Sequence, residues 1–435
     1  MAGAGTGTSE STGTGTKGEE VELLVKLQGH DLGIRSARFS NDASRFVTAS
    51  NDGTAKVWDA NNWSCLALLK WHEVTVHSAV FNFDNTKVTT ASFDKTAAIF
   101  DVATGRCLRV LRGHRNDVRS STFSPDGRHV LTASFDRTAV VWDAATGEVV
   151  RKFEGHRDWV FSANYSDDGK KIVTASGDYT CKVWDTETGT CINTLKGHSS
   201  LVNSASFSPD GSQVVSSSHD KTSRVWDTVT GACVRILEGH VGRVFSARFS
   251  PCGTRVVTAS DDNLAKVWDV ASDVPTGKGK CVHTLASHTS WVNSACFSPD
   301  GTSVLTGSSD SSALLWSMPM SELGKKRMAS ISAAKALAEA GAGAGAAARA
   351  GAASGAGAAS GAGAAAAAGS AAAAAAAATP AGIPPTTAAN VAAEKAEEEG
   401  TDLDQSRKHR RDDDDGSGAL SADEKDAKKS RVTLE

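Results

Sequence analysis

The chain has 435 residues, 40% of them hydrophobic, and a formal charge of −4. That balance excludes a protein drawn to nucleic acid or anionic membrane by its overall charge. No run of 18 apolar residues occurs except where Ala supplies it, and residues 1–17, rich in Gly, Thr and Ser, lack the apolar centre of a secretion signal.

In chain order, residues 1–20 are expected to be disordered and residues 21–28 alternate as an outer β-strand. One pattern then recurs: a His is followed 28 residues later by a large aromatic, as His30/Trp58, His72/Phe100, His114/Trp142, His156/Trp184, His198/Trp226, His240/Trp268 and His288/Trp316. Successive His residues are 42 apart, except for 48 between His240 and His288. A fixed interval inside each unit, with variation only between units, is one module copied seven times.

Residues 107–143 show the module's plan: strands at 107–111, 118–123, 130–134 and 139–142, separated by turn signals. Ser124-Pro125-Asp126-Gly127 places Pro and Gly where a tight turn wants them. Four strands per module predict a four-stranded antiparallel sheet. The last module ends at its third strand, 314–316, so the N-terminal strand 22–27 is expected to pair there and remove an open edge. The extra residues between His240 and His288 contain Pro275-Thr276-Gly277-Lys278-Gly279-Lys280, read as a tolerated, mobile basic loop without a phosphate-binding pattern.

Beyond Trp316 the composition changes. Residues 318–340 are compatible with a short helix. Residues 341–435, Ala/Gly/Ser-rich and then charged in short blocks, are expected to be disordered. The basic clusters at 325–327, 407–411 and 428–431 resemble import signals, although the aspartates at 412–415 neutralise the middle one. Five of the eight cysteines, Cys65, Cys107, Cys191, Cys233 and Cys281, sit seven residues before a repeat His. They occupy the same place in different modules, too far apart to pair, which favours a reducing cytoplasmic or nuclear compartment.

The period and the Gly-His to Trp-Asp ends, as in Gly113-His114 to Trp142-Asp143, resemble the WD-repeat family of β-propellers. The resemblance covers about 21–317 and implies an all-β ring of seven four-stranded blades. It also implies a hydrogen-bonded chain of His114, a hydroxyl (Thr132, or alternatively Ser134), Asp136 and Trp142. The equivalent sets are His30/Thr48/Asp52/Trp58, His156/Thr174/Asp178/Trp184, His198/Ser216/Asp220/Trp226, His240/Thr258/Asp262/Trp268 and His288/Thr306/Asp310/Trp316. A Ser/His/Asp set invites a catalytic reading, but seven copies of one active site in one ring make no chemical sense. These residues are read as scaffold. Blade two has His72, Thr90 and Asp94, yet Phe100 replaces Trp and Trp71 replaces the Gly before His72. Its network should lack one link and its blade should be the loosest.

Alternation commits the strands to packing, so binding is expected at loops and channel mouths. Three positions per blade vary where the framework is constant: three and five residues after each His, and one before each tetrad Asp. They are expected to be exposed, and they hold the candidates Arg35, His77, Phe93, Arg119, Phe135, Trp159, Phe161, His219, Arg243, Phe245 and Trp291. Aromatics interleaved with Arg and His are the composition of protein-binding hot spots. Phe161 and Phe245 are expected nearest the channel, flanking an inserted Arg or Lys. The competing reading is that some of these aromatics pack between blades.

The expected function is a non-catalytic scaffold holding peptides or protein surfaces within a multiprotein complex. No cofactor, metal, small-molecule substrate or membrane insertion is expected. The first 20 residues have no helical heptads, no F-box-like segment fits, and no repeat has Arg or Lys two residues after Trp-Asp. G-protein β subunits and ligase substrate receptors are thereby disfavoured. A chromatin or RNA-processing subunit touching nucleic acid through its tail is an alternative, weakened by a tail in which acids outnumber bases 16 to 14 from Glu322 onward. An enzyme would need a non-repeated acid–base cluster, for which His77 and His219 are the only candidates on that face.

Overall fold

The computed structural model describes residues 21–271 and 277–333. Its strands form seven sheets, each built on four antiparallel strands and arranged as the blades of a propeller. Blade three consists of Val118–Phe123, His129–Ser134, Ala139–Asp143 and Val149–Phe153. The last of these is the strand that opens the next repeat in sequence, so each repeat is staggered across two blades.

The local chemistry of the repeat explains its shape. At the first hairpin, Ser124 Oγ donates to Asp126 Oδ1 at 2.5 Å, Arg128 N donates to the same oxygen at 3.0 Å, and Gly127 takes φ +70°. The second strand, His129–Ser134, is buried at every residue after the first, because both of its faces meet neighbouring blades. The core is therefore divided into clusters at the blade junctions. At the first junction Val47, Val57 and Leu69 of blade one meet Val88 and Phe100 of blade two.

Blades are also stitched by hydroxyls on their first strands. The backbone N–H of Ala163 donates to Ser120 Oγ of the preceding blade at 3.1 Å, and Ala205 to Ser162 and Ala247 to Ser204 at the same distance. Ala37 N to Ser294 Oγ, at 3.0 Å, makes the same link from blade one back to blade seven.

Closure is completed by Leu23–Gln28, which pairs antiparallel with Ser312–Ser317, registered Leu23 to Trp316 and Gln28 to Ser312. Val25 and Leu27 pack into the cluster of Ile34, Phe46, Trp58 and Leu315 that joins the first and last blades. The sequence expectation of a ring closed by its N-terminal strand holds.

The long connection between blades six and seven corrects its reading as a mobile loop. Gly277 and Lys278 form a short strand, parallel to Cys233–Glu238, that adds a fifth strand to blade five. Gly279 N donates to Ile236 O at 2.9 Å, and Lys278 Nζ pairs with Glu238 at 2.6 Å. A Cβ at Gly279 would fall 2.1 Å from Leu237 Cδ2, so any other residue there would have to displace that buried side chain. Residues 272–276 lie outside the described part.

After the ring, residues 322–333 are helical. The remainder of the expected helix (334–340), the segment 1–20 and the tail 341–435 lie outside the described residues.

Candidate functional site

In all seven blades His Nδ1 lies 2.6–2.9 Å from an oxygen of the tetrad Asp, which is Asp52, Asp94, Asp136, Asp178, Asp220, Asp262 or Asp310 in blade order. His Nε2 lies 2.6–2.8 Å from a strand hydroxyl, that of Thr48, Thr90, Thr132, Thr174, Ser216, Thr258 or Thr306. With Asp ionised, Nδ1–H donates to it, so Nε2 accepts from the hydroxyl. The indole N–H then donates to the same hydroxyl at 2.8–3.1 Å: Trp58 to Thr48, Trp142 to Thr132, Trp184 to Thr174, Trp226 to Ser216, Trp268 to Thr258 and Trp316 to Thr306. In blade three Ser134 Oγ, the alternative to Thr132, donates instead to Asn116 O at 3.0 Å.

These tetrads are internal. Thr48 and Thr174 are 1% exposed, and Ser216, Thr258 and Thr306 are 0% exposed. A hydroxyl sealed in this way, held between imidazole and indole, is out of reach of any partner or substrate. The tetrad imidazoles and hydroxyls thus fix the turns of the rim from beneath, with only the Asp carboxylates reaching toward its surface.

Burial pushes the carboxyls of Asp136, Asp178 and Asp220 up, but hydrogen bonds from the imidazole and a neighbouring Thr outweigh it and hold them well below the usual carboxylate range. Burial lowers the imidazoles of His30, His198 and His288 despite their Asp partners. In blade two, Phe100 is fully buried but has no donor for Thr90. The Asp94 side chain is 27% exposed, against 9% for Asp136.

The variable rim differs from its sequence reading in exposure. Of the candidates there, only Phe93 (48%) and Trp291 (37%) are exposed. His77, Phe135 and Phe161 are buried, and Arg35, Arg119, Trp159, His219, Arg243 and Phe245 are half-buried. The cause is the convergence of first strands at the centre, which presses side chains of adjacent blades together.

What emerges is a belt of cationic and aromatic groups. Phe93 and His77 of blade two have ring centroids 6.1 Å apart. Arg119 Nη1 of blade three lies 3.2 Å from His77 Nδ1. The Arg119 guanidinium covers Phe135 at 5.2 Å and Phe161 at 5.7 Å, and Phe135 stacks on Trp159 at 4.4 Å. Arg119 therefore already holds the cation seat that the sequence reading offered to a ligand at Phe161. Across the ring, Phe245 contacts His219 at 5.9 Å and Trp291 at 6.1 Å. The two remaining candidates make local pairs, Arg35 Nε to Asn51 Oδ1 at 2.6 Å and Arg243 Nε to Asp261 at 3.9 Å.

The family model described as WD domain, G-beta repeat matches residues 21–59, 63–101, 105–143, 147–185, 189–227, 231–269 and 279–317. The chain belongs to this WD-repeat family. Over 44 residues, 10% of the chain, it is 50% identical to periodic tryptophan protein 2 of Saccharomyces cerevisiae, of which that stretch spans 5%. About one repeat is shared with that protein, and the other WD repeats here stand on the family match. No described helix of this WD-repeat protein is long and apolar enough to cross a membrane.

Proposed function

We propose that this WD-repeat protein is a non-catalytic scaffold that holds a protein partner on the rim carrying the His and Asp turns. The observation that carries this reading is the belt from Phe93 through His77, Arg119 and Phe135 to Trp159. It is built wholly at positions that the repeat framework leaves free. Preorganised aromatics with an Arg among them are what a desolvated binding hot spot needs, since little side-chain entropy remains to be lost on binding. Phe93 offers an exposed ring at one end of the belt and Trp291 another across the ring, where a partner's Lys or Arg would find its aromatic seat beside Phe245. His77 and His219, which an enzyme reading would need as acid–base groups, are both packed into the rim against aromatic rings. The eight free cysteines suit a cytoplasmic or nuclear address.

Photocrosslinking of the full-length protein tests this. A photoreactive phenylalanine at position 93 or 291 should crosslink one common partner, while the same group at Leu66, half-exposed on the outer wall, should not. Preferential crosslinking at Leu66 would move the interface to the wall of the ring.

A further inference from the structure

The opposite end of the central channel carries a different chemistry. Residues of blades one, four, five, six and seven line a single cavity of about 420 Å³ there, which places it on the ring axis. Two of its walls are guanidiniums, Arg38 from blade one and Arg248 from blade six. Arg248 Nη2 donates to Asn164 Oδ1 at 3.4 Å, and the Arg38 head meets the Cys296 thiol of the blade between them. Among the described residues neither makes an ion pair with a carboxylate. Asp167, the one carboxylate on the cavity wall, is pushed up by burial and by its neighbour Asp168, with no guanidinium lowering it. Burial lowers both guanidiniums, and for Arg248 the like charge of Arg38 adds to the effect.

Two half-buried like charges without a carboxylate counterion cost free energy that nothing in the fold's closure requires. The +8 column after each His otherwise holds Val80, Thr122, Asn164, Ser206 and Cys296, so the framework tolerates neutral residues there. The mouth is basic too: Arg327 Nη1, from helix 322–333, donates to Cys252 O at 3.4 Å beside Pro251 of the cavity wall.

We propose that this end of the channel is an oxyanion site, in which Arg38 and Arg248 together hold a phosphate or carboxylate group. Guanidinium forks recognise such groups through paired N–H donors, and an anion between them converts mutual repulsion into attraction. The group arrives on a free phosphorylated small molecule, whose oxyanion the paired guanidinium donors fit.

Calorimetry and thermal melts of the full-length protein, with inorganic pyrophosphate as probe at fixed ionic strength, decide this. Saturable binding that raises Tm, lost at least 30-fold in Arg38→Met/Arg248→Met, supports the site with a free ligand. The same double variant should melt at or above the wild type when no probe is present. Should the double variant fail to fold, Arg38→Gln serves alone and should weaken binding about tenfold. No saturable binding to the wild type, or binding unchanged by the arginine substitutions, overturns the proposal.

Discussion

The guanidinium of Arg119 sits 3.2 Å from the imidazole nitrogen of His77 in the neighbouring blade. Burial, then Arg119 and Arg35, hold that imidazole well below its ordinary range, so His77 is neutral and accepts from Arg119. Replacing Arg119 by Met should therefore raise the His77 titration midpoint, followed by NMR, while leaving it below 6.5 because burial remains. A midpoint that does not move would mean that the two blades are not coupled through this pair.

Ring closure by Leu23–Gln28 predicts the outcome of two truncations. Removing residues 1–28 deletes a strand and the buried parts of Val25 and Leu27. It should lower Tm by more than about 10 °C or prevent folding, whereas removing residues 1–18 should change it by no more than about 1 °C. Equal midpoints for the two would contradict closure.

Blade two carries a coupled exchange. In the five blades with Gly before the His, a Cβ there would approach the indole Cη2 to between 2.7 and 3.4 Å. In blade two Phe100 ends short of that point, and Trp71 occupies the glycine's place without the positive φ of Gly113, Gly155, Gly197 and Gly239. Phe100→Trp alone should cost about 1–3 kcal/mol from overpacking, and adding Trp71→Gly should recover most of it in a double-mutant cycle read by urea unfolding. Asp94→Ala should also cost less than Asp136→Ala, about 1 against about 2–3 kcal/mol. Asp94 is more exposed and lacks the backbone N–H that Arg115 donates to Asp136 at 3.0 Å.

Acid should destabilise the ring in two stages. The tetrad imidazoles that burial lowers stay neutral when folded but bind protons once unfolded, so their contribution is complete above about pH 6.5 and declines as pH falls through their folded values. The depressed carboxylates Asp136, Asp178 and Asp220 contribute above their unfolded value of 3.8, and that contribution is lost below it. Asp167 and Asp261, both raised, act in the opposite sense but are fewer. Tm should fall from pH 7 to 5 and fall more steeply below 4; a rise on acidification to pH 5 would refute this assignment.

The ring was legible because its determinants are local and repeated. The 22-residue step from His114 to Asp136 and the 28-residue step to Trp142 return in blade after blade, and the strand ends read from the third repeat lie within one residue of those observed. The hydroxyls were legible for the same reason, since Thr48, Thr174, Ser216, Thr258 and Thr306 each stand 18 residues after their His and bond to it. Exposure at the rim was not legible. Whether Phe135 stands free or lies beneath Arg119 depends on how closely neighbouring blades converge, which no single repeat encodes. The strand at Gly277 and Lys278 escaped for a related reason: two residues carry no alternation, and their pairing is with another blade's edge. The channel arginines did leave a signal. The column one residue later is aromatic in all seven repeats, from Phe39 to Phe297, while Arg38 and Arg248 interrupt an otherwise neutral column.

The measurement that bears most directly on the scaffold assignment is partner affinity for the full-length protein carrying Phe93→Ala, Phe245→Ala and Trp291→Ala together. Partners recovered with the wild type at native salt are titrated against both proteins, with Tm as the control for folding. These side chains are exposed or half-buried at variable rim positions, so the triple variant should keep its Tm within about 3 °C and lose at least about 30-fold in affinity, equivalent to about 2 kcal/mol. A folded variant that binds the same partners with unchanged affinity would contradict the rim as the interaction surface.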